Sequence, residues 1–204
     1  TVYSDDPGSF AADFEEKGAK YLHMVDLEGA RSGETPNLES IKSITSSTGL
    51  FTQLGGGIRS LKTIDAYRNI GVDRLILGTA AITQQDFVSE AIKEFGRDAI
   101  AVSIDIKGDL VAIKGWTEVT DITCDEFCRQ MEDAGVKTII CTDISKDGAM
   151  KGTNRELYRS LSDRFGLDII ASGGVSSIED IRALAAMDLY GAILGNCLLY
   201  TSPS

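Results

Sequence analysis

Two carboxylates and a hydroxyl in the second half of the chain are of the types that carry acid–base chemistry. Asp105 and Thr142 each come at the end of a short apolar run, and Asp147 follows in a glycine-bearing loop. A carboxyl group at the end of a buried strand is poorly solvated, which suits a general acid, and a threonine hydroxyl can orient a hydroxyl of the substrate. We predict that all three residues are catalytic. The alternatives are an ordinary solvated loop acid at Asp147 and strand packing at Thr142.

Glycines near the ends of other apolar runs predict phosphate binding. Glycine lets the backbone approach an anion closely, and a helix that begins just after it adds a favourable dipole. One pair of glycines more often marks a tight turn, but two related sets predict a ligand with two phosphates. The first set is Gly56, Gly57, Gly78 and Thr79, and the second is Gly173, Gly174, Gly195 and Asn196. Arg59 and Gly148 are further predicted substrate- or phosphate-binding residues.

The only tryptophan, Trp116, follows Lys114 after a further apolar run. Its ring could stack on a planar heterocycle while Lys114 contacts a phosphate or carboxamide, and a half-buried surface tryptophan is the alternative. His23 lies inside an apolar run, where core packing explains it better than catalysis does. Cys124 and Cys128 have helical spacing and no matching His/Cys pair nearby, so we expect them to pack rather than to bind a metal.

Short apolar runs alternate with amphipathic stretches, which predicts β/α units on a parallel sheet. Ser60 and Ser177 precede amphipathic stretches and are predicted N-caps. The predicted strands are Tyr21–Asp26, Phe51–Leu54, Arg74–Leu77, Ile100–Asp105, Thr138–Thr142, Asp168–Ala171 and Gly191–Leu194. The predicted helices include Pro7–Lys17, Leu61–Asn69, Asp86–Glu94, Asp125–Ala134 and Ile178–Ala186.

The chain also repeats itself at an offset of 117 residues, in a register that holds from residue 18 to residue 78 without a gap. A repeat of this length exceeds a solenoid unit and predicts two fused half-domains. The matched positions are Gly18 and Gly135, Lys20 and Lys137, Asp26 and Asp143, Asn37 and Asn154, Gly56-Gly57 and Gly173-Gly174, and Ile76–Gly78 and Ile193–Gly195.

Together, the alternation and the repeat predict an α/β fold, a (β/α)8 TIM barrel in a single domain over residues 1–204. The counterpart of the strand ending at Asp105 falls before Thr1, so we expect strand one to be missing. Cys197–Ser204 does not follow the repeat, so we expect a non-native tail and a missing last helix. Half-barrel 1 then covers residues 1–95 and is incomplete, and half-barrel 2 covers residues 96–196.

Composition narrows the class of ligand. A net charge of -11 disfavours nucleic acid, which needs a basic surface. No apolar run reaches the roughly 18 residues of a membrane helix. Backbone N–H groups can still bind a phosphate locally in an acidic protein, and the four cysteines fit a reducing compartment. We expect a cytoplasmic protein that acts on a small phosphorylated molecule.

Four segments together resemble one family, the isomerase of histidine biosynthesis that acts on ProFAR, the phosphoribosylformimino-aminoimidazole-carboxamide ribotide. The resemblance covers nearly the whole chain to Asn196, and the opening Thr1–Pro7 is similar to the family's loop after strand one. The four segments are Val25–Ala30, Gly55–Ser60, Ile113–Trp116 and Thr142–Gly148.

The resemblance implies an Amadori rearrangement of the aminoaldose ProFAR to the aminoketose PRFAR, with no metal or organic cofactor, by a protein that is a monomer when complete. It implies that Asp105 is the proton donor and that Asp147 and Thr142 also act, with the share of Asp147 in donation left open. The family's proton acceptor is an Asp at the end of strand one, which we expect this chain to lack. Asn196 stands where the family often has Arg.

Three alternatives stay open at this point. The cyclase barrel of the same pathway, imidazole glycerol phosphate synthase, shares the repeat and both phosphate sites and takes ammonia from a glutaminase partner. The segments Lys114–Trp116 and Thr142–Ser145 favour the isomerase. A bifunctional isomerase that also accepts phosphoribosylanthranilate is the second alternative, and an inactive fragment that only binds phosphates is the third.

Overall fold

The computed structural model describes residues 6–113, 115–146 and 152–195, apart from the side chain of Gln85. The chain divides into two compact units, Thr1–Ile100 and Ala101–Ser204. Within the described ranges, every helix is too short or too polar to cross a membrane. The half-barrel boundaries and the tail that we derived from the repeat stay predictions.

Unit 1 alternates helices with parallel strands. Its elements are α1 (Pro7–Glu16), β1 (Tyr21–Val25), α2 (Leu27–Ser32), α3 (Leu38–Ser47), β2 (Phe51–Gly55), α4 (Leu61–Asn69), β3 (Arg74–Leu77), α5 (Thr79–Thr83) and α6 (Gln85–Phe95). β2 pairs with β1 and with β3, in parallel on both sides. Because β2 and β3 are covered on both faces, their side chains are almost all buried, as expected of a parallel sheet.

Unit 2 has the same alternation with one added arm. Its elements are β4 (Ile100–Lys107), β5 (Leu110–Ile113), β6 (Glu118–Thr123), α7 (Cys124–Asp133), β7 (Thr138–Asp143), α8 (Arg155–Arg164), β8 (Asp168–Ser172), α9 (Ile178–Ala185) and β9 (Gly191–Ala192). β4, β7, β8 and β9 follow one another as parallel neighbours. β5 pairs antiparallel with β4 and with β6.

The antiparallel arm corrects one expectation. We expected the strand to end at Asp105, but β4 continues to Lys107 because β5 turns back and pairs with it, with Lys107 opposite Leu110. Gly108, at φ +64°, supplies the left-handed conformation in the turn between them. Asp105 therefore lies two residues before the end of its strand, at the point where the arm begins.

The predicted helices are found within one residue of their expected ends. Both predicted N-caps are confirmed, since the Ser60 hydroxyl accepts from the amide of Thr63 and the Ser177 hydroxyl accepts from the amide of Asp180. The periodicity did not predict α2, α3, α5, α8 and β6. Two of these helices begin at side-chain caps, Asp26 for α2 and Asn154 for α8, and each cap accepts from the amide three residues later.

The repeat is visible in equivalent hydrogen bonds within each unit. In unit 1, Gly49 donates to the Glu15 carboxylate at 2.9 Å, and in unit 2 the equivalent Gly166 donates to Glu132 at 2.7 Å. Each bond ties the end of a helix to the loop before the second strand that follows it, β2 in unit 1 and β8 in unit 2. The equivalence of these long-range contacts shows that the two units share one local design, as the offset predicts.

Candidate active site

Two of the predicted catalytic residues are direct neighbours across the sheet of unit 2. Asp105 on β4 is the register partner of Thr142 on β7. Register partners in a parallel pair project to the same face, so the carboxyl and hydroxyl groups share one side of the sheet. Asp105 is half-buried and Thr142 is buried. A half-buried carboxyl group can donate a proton, and a neighbouring hydroxyl can orient a polar ligand beside it.

The sequence reasoning did not identify a third polar residue in this row. Ser172, the last residue of β8, is the register partner of Thr142 on its other side, and it is half-buried. Asp105, Thr142 and Ser172 thus lie at matching positions on three adjacent parallel strands. A usable signal was present, because Ser172 comes directly before the glycine pair that follows β8.

In unit 1, the loop after β1 is organised by the buried carboxylate of Asp26. One oxygen accepts from the amide of Gly29 at 2.8 Å and from the side chain of Asn37 at 2.8 Å, and the other accepts from the Tyr67 hydroxyl at 3.1 Å. Burial, with the charge and hydrogen bond of Asp26, raises the pKa of Tyr67, so the phenol remains a donor. These contacts tie the loop after β1 to the start of α3 and to α4.

The first glycine pair packs directly on this loop. A Cβ atom on Gly56 would lie 2.2 Å from the carbonyl oxygen of Asp26, and one on Gly57 would lie 2.0 Å from that of Gly29. Both glycines have positive φ, at +113° and +71°. Loop packing by itself therefore requires glycine at both positions. The pair leads into the N-terminus of α4, a setting that favours anions, and phosphate binding here stays a prediction.

Unit 2 builds the equivalent loop around Asp143. Asn154 donates to one carboxylate oxygen at 2.7 Å, while the amide and hydroxyl of Ser145 donate to the other. Burial opposes ionisation of Asp143, but the hydrogen bonds from Ser145 and Asn154 outweigh it and lower its pKa. A Cβ atom on Gly174 would lie 2.5 Å from the carbonyl oxygen of Gly152, so the second glycine pair also packs on the preceding loop.

The remaining described phosphate candidates occupy loop and helix-start positions. Gly78 is the N-cap residue of α5 and Thr79 its first residue, while Gly195 is exposed after β9. Arg59 is exposed, and its guanidinium donates to the carbonyl oxygen of Ala30 at 2.8 Å. Gly173 precedes Gly174 and is buried at φ +89°. The predictions for Lys114, Asp147, Gly148 and Asn196 lie outside the described residues.

Trp116 lies in the turn between β5 and β6 and is 45% exposed. Its φ is +71°, an uncommon conformation for a bulky residue, and Gly115 before it is also left-handed at φ +63°. The left-handed backbone at Trp116 costs conformational energy, and it leaves a large aromatic ring partly exposed. Strained residues of this kind are often found at functional sites. Stacking of this ring on a planar ligand stays a prediction.

The three cysteines among the described residues of unit 2 behave as packing residues. Cys124, Cys128 and Cys141 are free thiols, and each is buried. Within the described ranges, no group of three or more His, Cys, Asp and Glu side chains is arranged to hold a metal ion. The expectation that Cys124 and Cys128 pack in the core is confirmed.

Comparison with known proteins decides the family. The model of a family described as "Histidine biosynthesis protein" matches residues 1–203. The chain belongs to this family. The alternating parallel strands and helices, together with this match, confirm the predicted fold class, an α/β barrel of the TIM type. The further prediction that strand one and the last helix are missing stays a prediction.

Several relatives within the family are similar over most of this chain. They are named 1-(5-phosphoribosyl)-5-((5-phosphoribosylamino)methylideneamino) imidazole-4-carboxamide isomerase, that is, ProFAR isomerase. The one from Clostridium acetobutylicum is 46% identical over 198 residues, covering 97% of this chain and 82% of its own length. The one from Lactococcus lactis subsp. cremoris is 47% identical over 196 residues, covering 96% and 80%.

Proposed function

We propose that this chain is a ProFAR isomerase, which rearranges an aminoaldose into an aminoketose by acid–base catalysis. The single observation that carries the proposal is the register pairing of Asp105 with Thr142 in a chain of the histidine biosynthesis family. The names of relatives at 45–47% identity support the isomerase over the cyclase.

Asp105 acts as the proton donor in this proposal. It protonates the ring oxygen of the substrate ribose as the bond between that oxygen and C1 breaks, which leaves a Schiff base at C1. The base that the family resemblance implies, an Asp at the end of strand one, then removes the proton at C2. The resulting enolamine becomes the ketose when C1 gains a proton and the C2 hydroxyl loses one. Thr142 holds a substrate hydroxyl beside Asp105. Asp147 is proposed to share in proton transfer, as the family resemblance implies.

The glycine loops are proposed to hold the two phosphates of the substrate. The loop after β2 and the loop after β8 each lead into a helix N-terminus, so backbone N–H groups and the helix dipole both favour an anion. A net charge of -11 makes a small molecule a more suitable partner than nucleic acid. We propose a monomer that acts in the cytoplasm, where the free thiols of unit 2 would stay reduced.

The test is turnover of purified full-length protein with ProFAR, followed by absorbance and by separation of the aminoketose product. The proposal predicts conversion to PRFAR without added ammonia. Consumption of PRFAR only when ammonia is present would instead assign the cyclase reaction. Parallel assays with phosphoribosylanthranilate decide whether the enzyme is bifunctional, and phosphate binding with no turnover of any substrate would contradict an enzymatic role.

A further inference from the structure

The buried carboxylate of Asp180 in unit 2 accepts hydrogen bonds from three residues. The side chain of Asp180 is 5% exposed, and its carboxylate accepts from the Arg155 guanidinium at 2.9 Å. It also accepts from the amide of Ser176 at 3.1 Å and from the hydroxyls of Ser176 and Ser177 at 3.2 and 3.3 Å. Burial opposes ionisation, but these donors outweigh it and lower the pKa of Asp180.

These contacts join two loops that follow neighbouring strands. Arg155 is the first residue of α8, at the end of the loop after β7, whereas Ser176 belongs to the loop after β8. The same two loops meet a second time, since the Thr153 hydroxyl donates to the carbonyl oxygen of Gly173 at 3.1 Å. They also touch at Gly174, whose backbone packs on Gly152. Asp180 therefore holds the Gly173–Ser176 loop against its neighbour.

Unit 1 achieves the equivalent loop packing without this ion pair. The repeat places Thr63 at the position of Asp180 and Leu38 at the position of Arg155. There, the Arg59 guanidinium reaches a backbone carbonyl instead. Only the carboxylate of this ion pair is buried, since the Arg155 side chain is 47% exposed, and such a pair is weak support for stability by itself. Its presence in one unit only, beside a glycine loop, indicates a role in holding that loop in one conformation.

We propose that Asp180 and Arg155 are positioning residues that hold the Gly173–Ser176 loop in its anion-binding conformation. The inference rests on the function proposed above, because it assumes that this loop holds a substrate phosphate. Neither side chain is assigned a contact with the reacting atoms, so the pair acts on binding of the substrate rather than on the chemical step.

The experiment compares Asp180→Asn, Arg155→Met and their double variant with the full-length wild type. Measured quantities are kcat and KM with ProFAR, the Kd of inorganic phosphate, and Tm. We expect each single variant to raise KM and the phosphate Kd about tenfold, with kcat within about twofold. A tenfold effect that is not additive in the double variant corresponds to a coupling energy typical of contacting pairs. The double variant should be no worse than either single one, and Arg155→Lys should recover part of the loss.

Asp125→Asn is the matched control. It breaks the solvent-exposed ion pair between Asp125 and Arg164. Arg164 is the last residue of α8, at the other end of the helix from Arg155. Asp125→Asn should leave KM, phosphate Kd and kcat unchanged. A lowered Tm with unchanged KM in Asp180→Asn would overturn the inference, as would a loss confined to kcat. If the wild type does not turn over ProFAR, the proposed function fails, and the phosphate Kd series still decides this inference.

Discussion

Asn154 and Asp143 are joined by a 2.7 Å hydrogen bond across eleven residues of chain, and Asn37 and Asp26 are joined in the same way at 2.8 Å in the other unit. In both units the carboxylate ends or follows a strand and the amide begins the next long helix. The two asparagines differ in their other contacts. The Asn154 side-chain oxygen also accepts from the amide of Leu157, whereas Asn37 makes no such cap and its amide also donates to the exposed Glu28 carboxylate at 3.1 Å.

This difference predicts unequal costs for the same substitution. Asn37→Ala and Asn154→Ala each remove a donor to a buried carboxylate, which should cost about 1–3 kcal/mol of unfolding free energy. Asn154→Ala also removes a helix cap and should cost about 1 kcal/mol more. Urea unfolding of the two variants measures the difference. Equal losses would show that the cap of α8 contributes nothing.

Asp105→Asn should lower kcat about 10²- to 10⁴-fold, because a positioned proton donor contributes that much to a rate. The phosphate Kd should stay within about twofold, since the side chain is not assigned to phosphate binding. The exposed Asp109, in the turn that follows β4, supplies the control variant Asp109→Asn. Full turnover in Asp105→Asn would remove Asp105 from the role of donor.

Two threonines on β7 provide a matched pair of substitutions. Thr142→Val should lower kcat/KM roughly two- to tenfold, the value of one neutral hydrogen bond to the substrate. The Thr138 hydroxyl is buried without a hydrogen-bond partner among the described residues. Thr138→Val should therefore leave turnover unchanged and raise the unfolding free energy by about 1 kcal/mol. Equal effects of both variants on turnover would indicate that Thr142 only packs.

The rigidity of the glycine loops can be tested by comparing alanine substitutions there with the same substitution at glycines that have positive φ but open space around the Cβ position. Gly57→Ala and Gly174→Ala combine a positive φ with a collision against a backbone carbonyl, whereas Gly18 and Gly135 have positive φ and nothing within 4 Å of a Cβ atom. The collision should add about 1–3 kcal/mol to the cost measured for Gly18→Ala and Gly135→Ala. Thermal and urea unfolding give the comparison, and matching costs would argue against rigid loop packing.

His23 predicts a specific pH dependence of stability. Burial lowers its pKa to about 4, whereas an unfolded histidine titrates near 6.5, and the ring contacts Gln53. As the pH falls from about 6.5 to about 4, the unfolded chain binds a proton that the folded chain does not. The unfolding free energy should therefore fall across this window, by at most about 3 kcal/mol.

Because the sequence contains a single histidine, a histidine titration can be assigned to His23 directly. Its ring resonances should titrate near pH 4 in the folded protein. In His23→Gln the decline between pH 6.5 and 4 should shrink, leaving the loss due to carboxylates at lower pH. An NMR titration near pH 6.5 in the folded state would contradict the burial that lowers the pKa.

Much of the fold could be predicted from the local pattern of residues in the sequence. Ser60 and Ser177 marked helix starts because a capping hydroxyl acts on amides two or three residues away. The antiparallel arm was not expected, because Glu118–Thr123 carries mainly exposed and half-buried residues and has no apolar run. Ser172 was missed because its place beside Thr142 comes from the cross-strand register, and the glycine pair after it in the sequence was its only local signal.

The sequence by itself determined the β/α alternation, the repeat and the family, because periodicity, offset and motif identity are properties of residue order. It also identified Asp105 and Thr142 as candidates. Only the tertiary structure decided that these two are register partners and that Asp180 joins two loops through Arg155. Such contacts depend on which strands pair and how loops pack, and these are set by interactions between residues far apart in the chain.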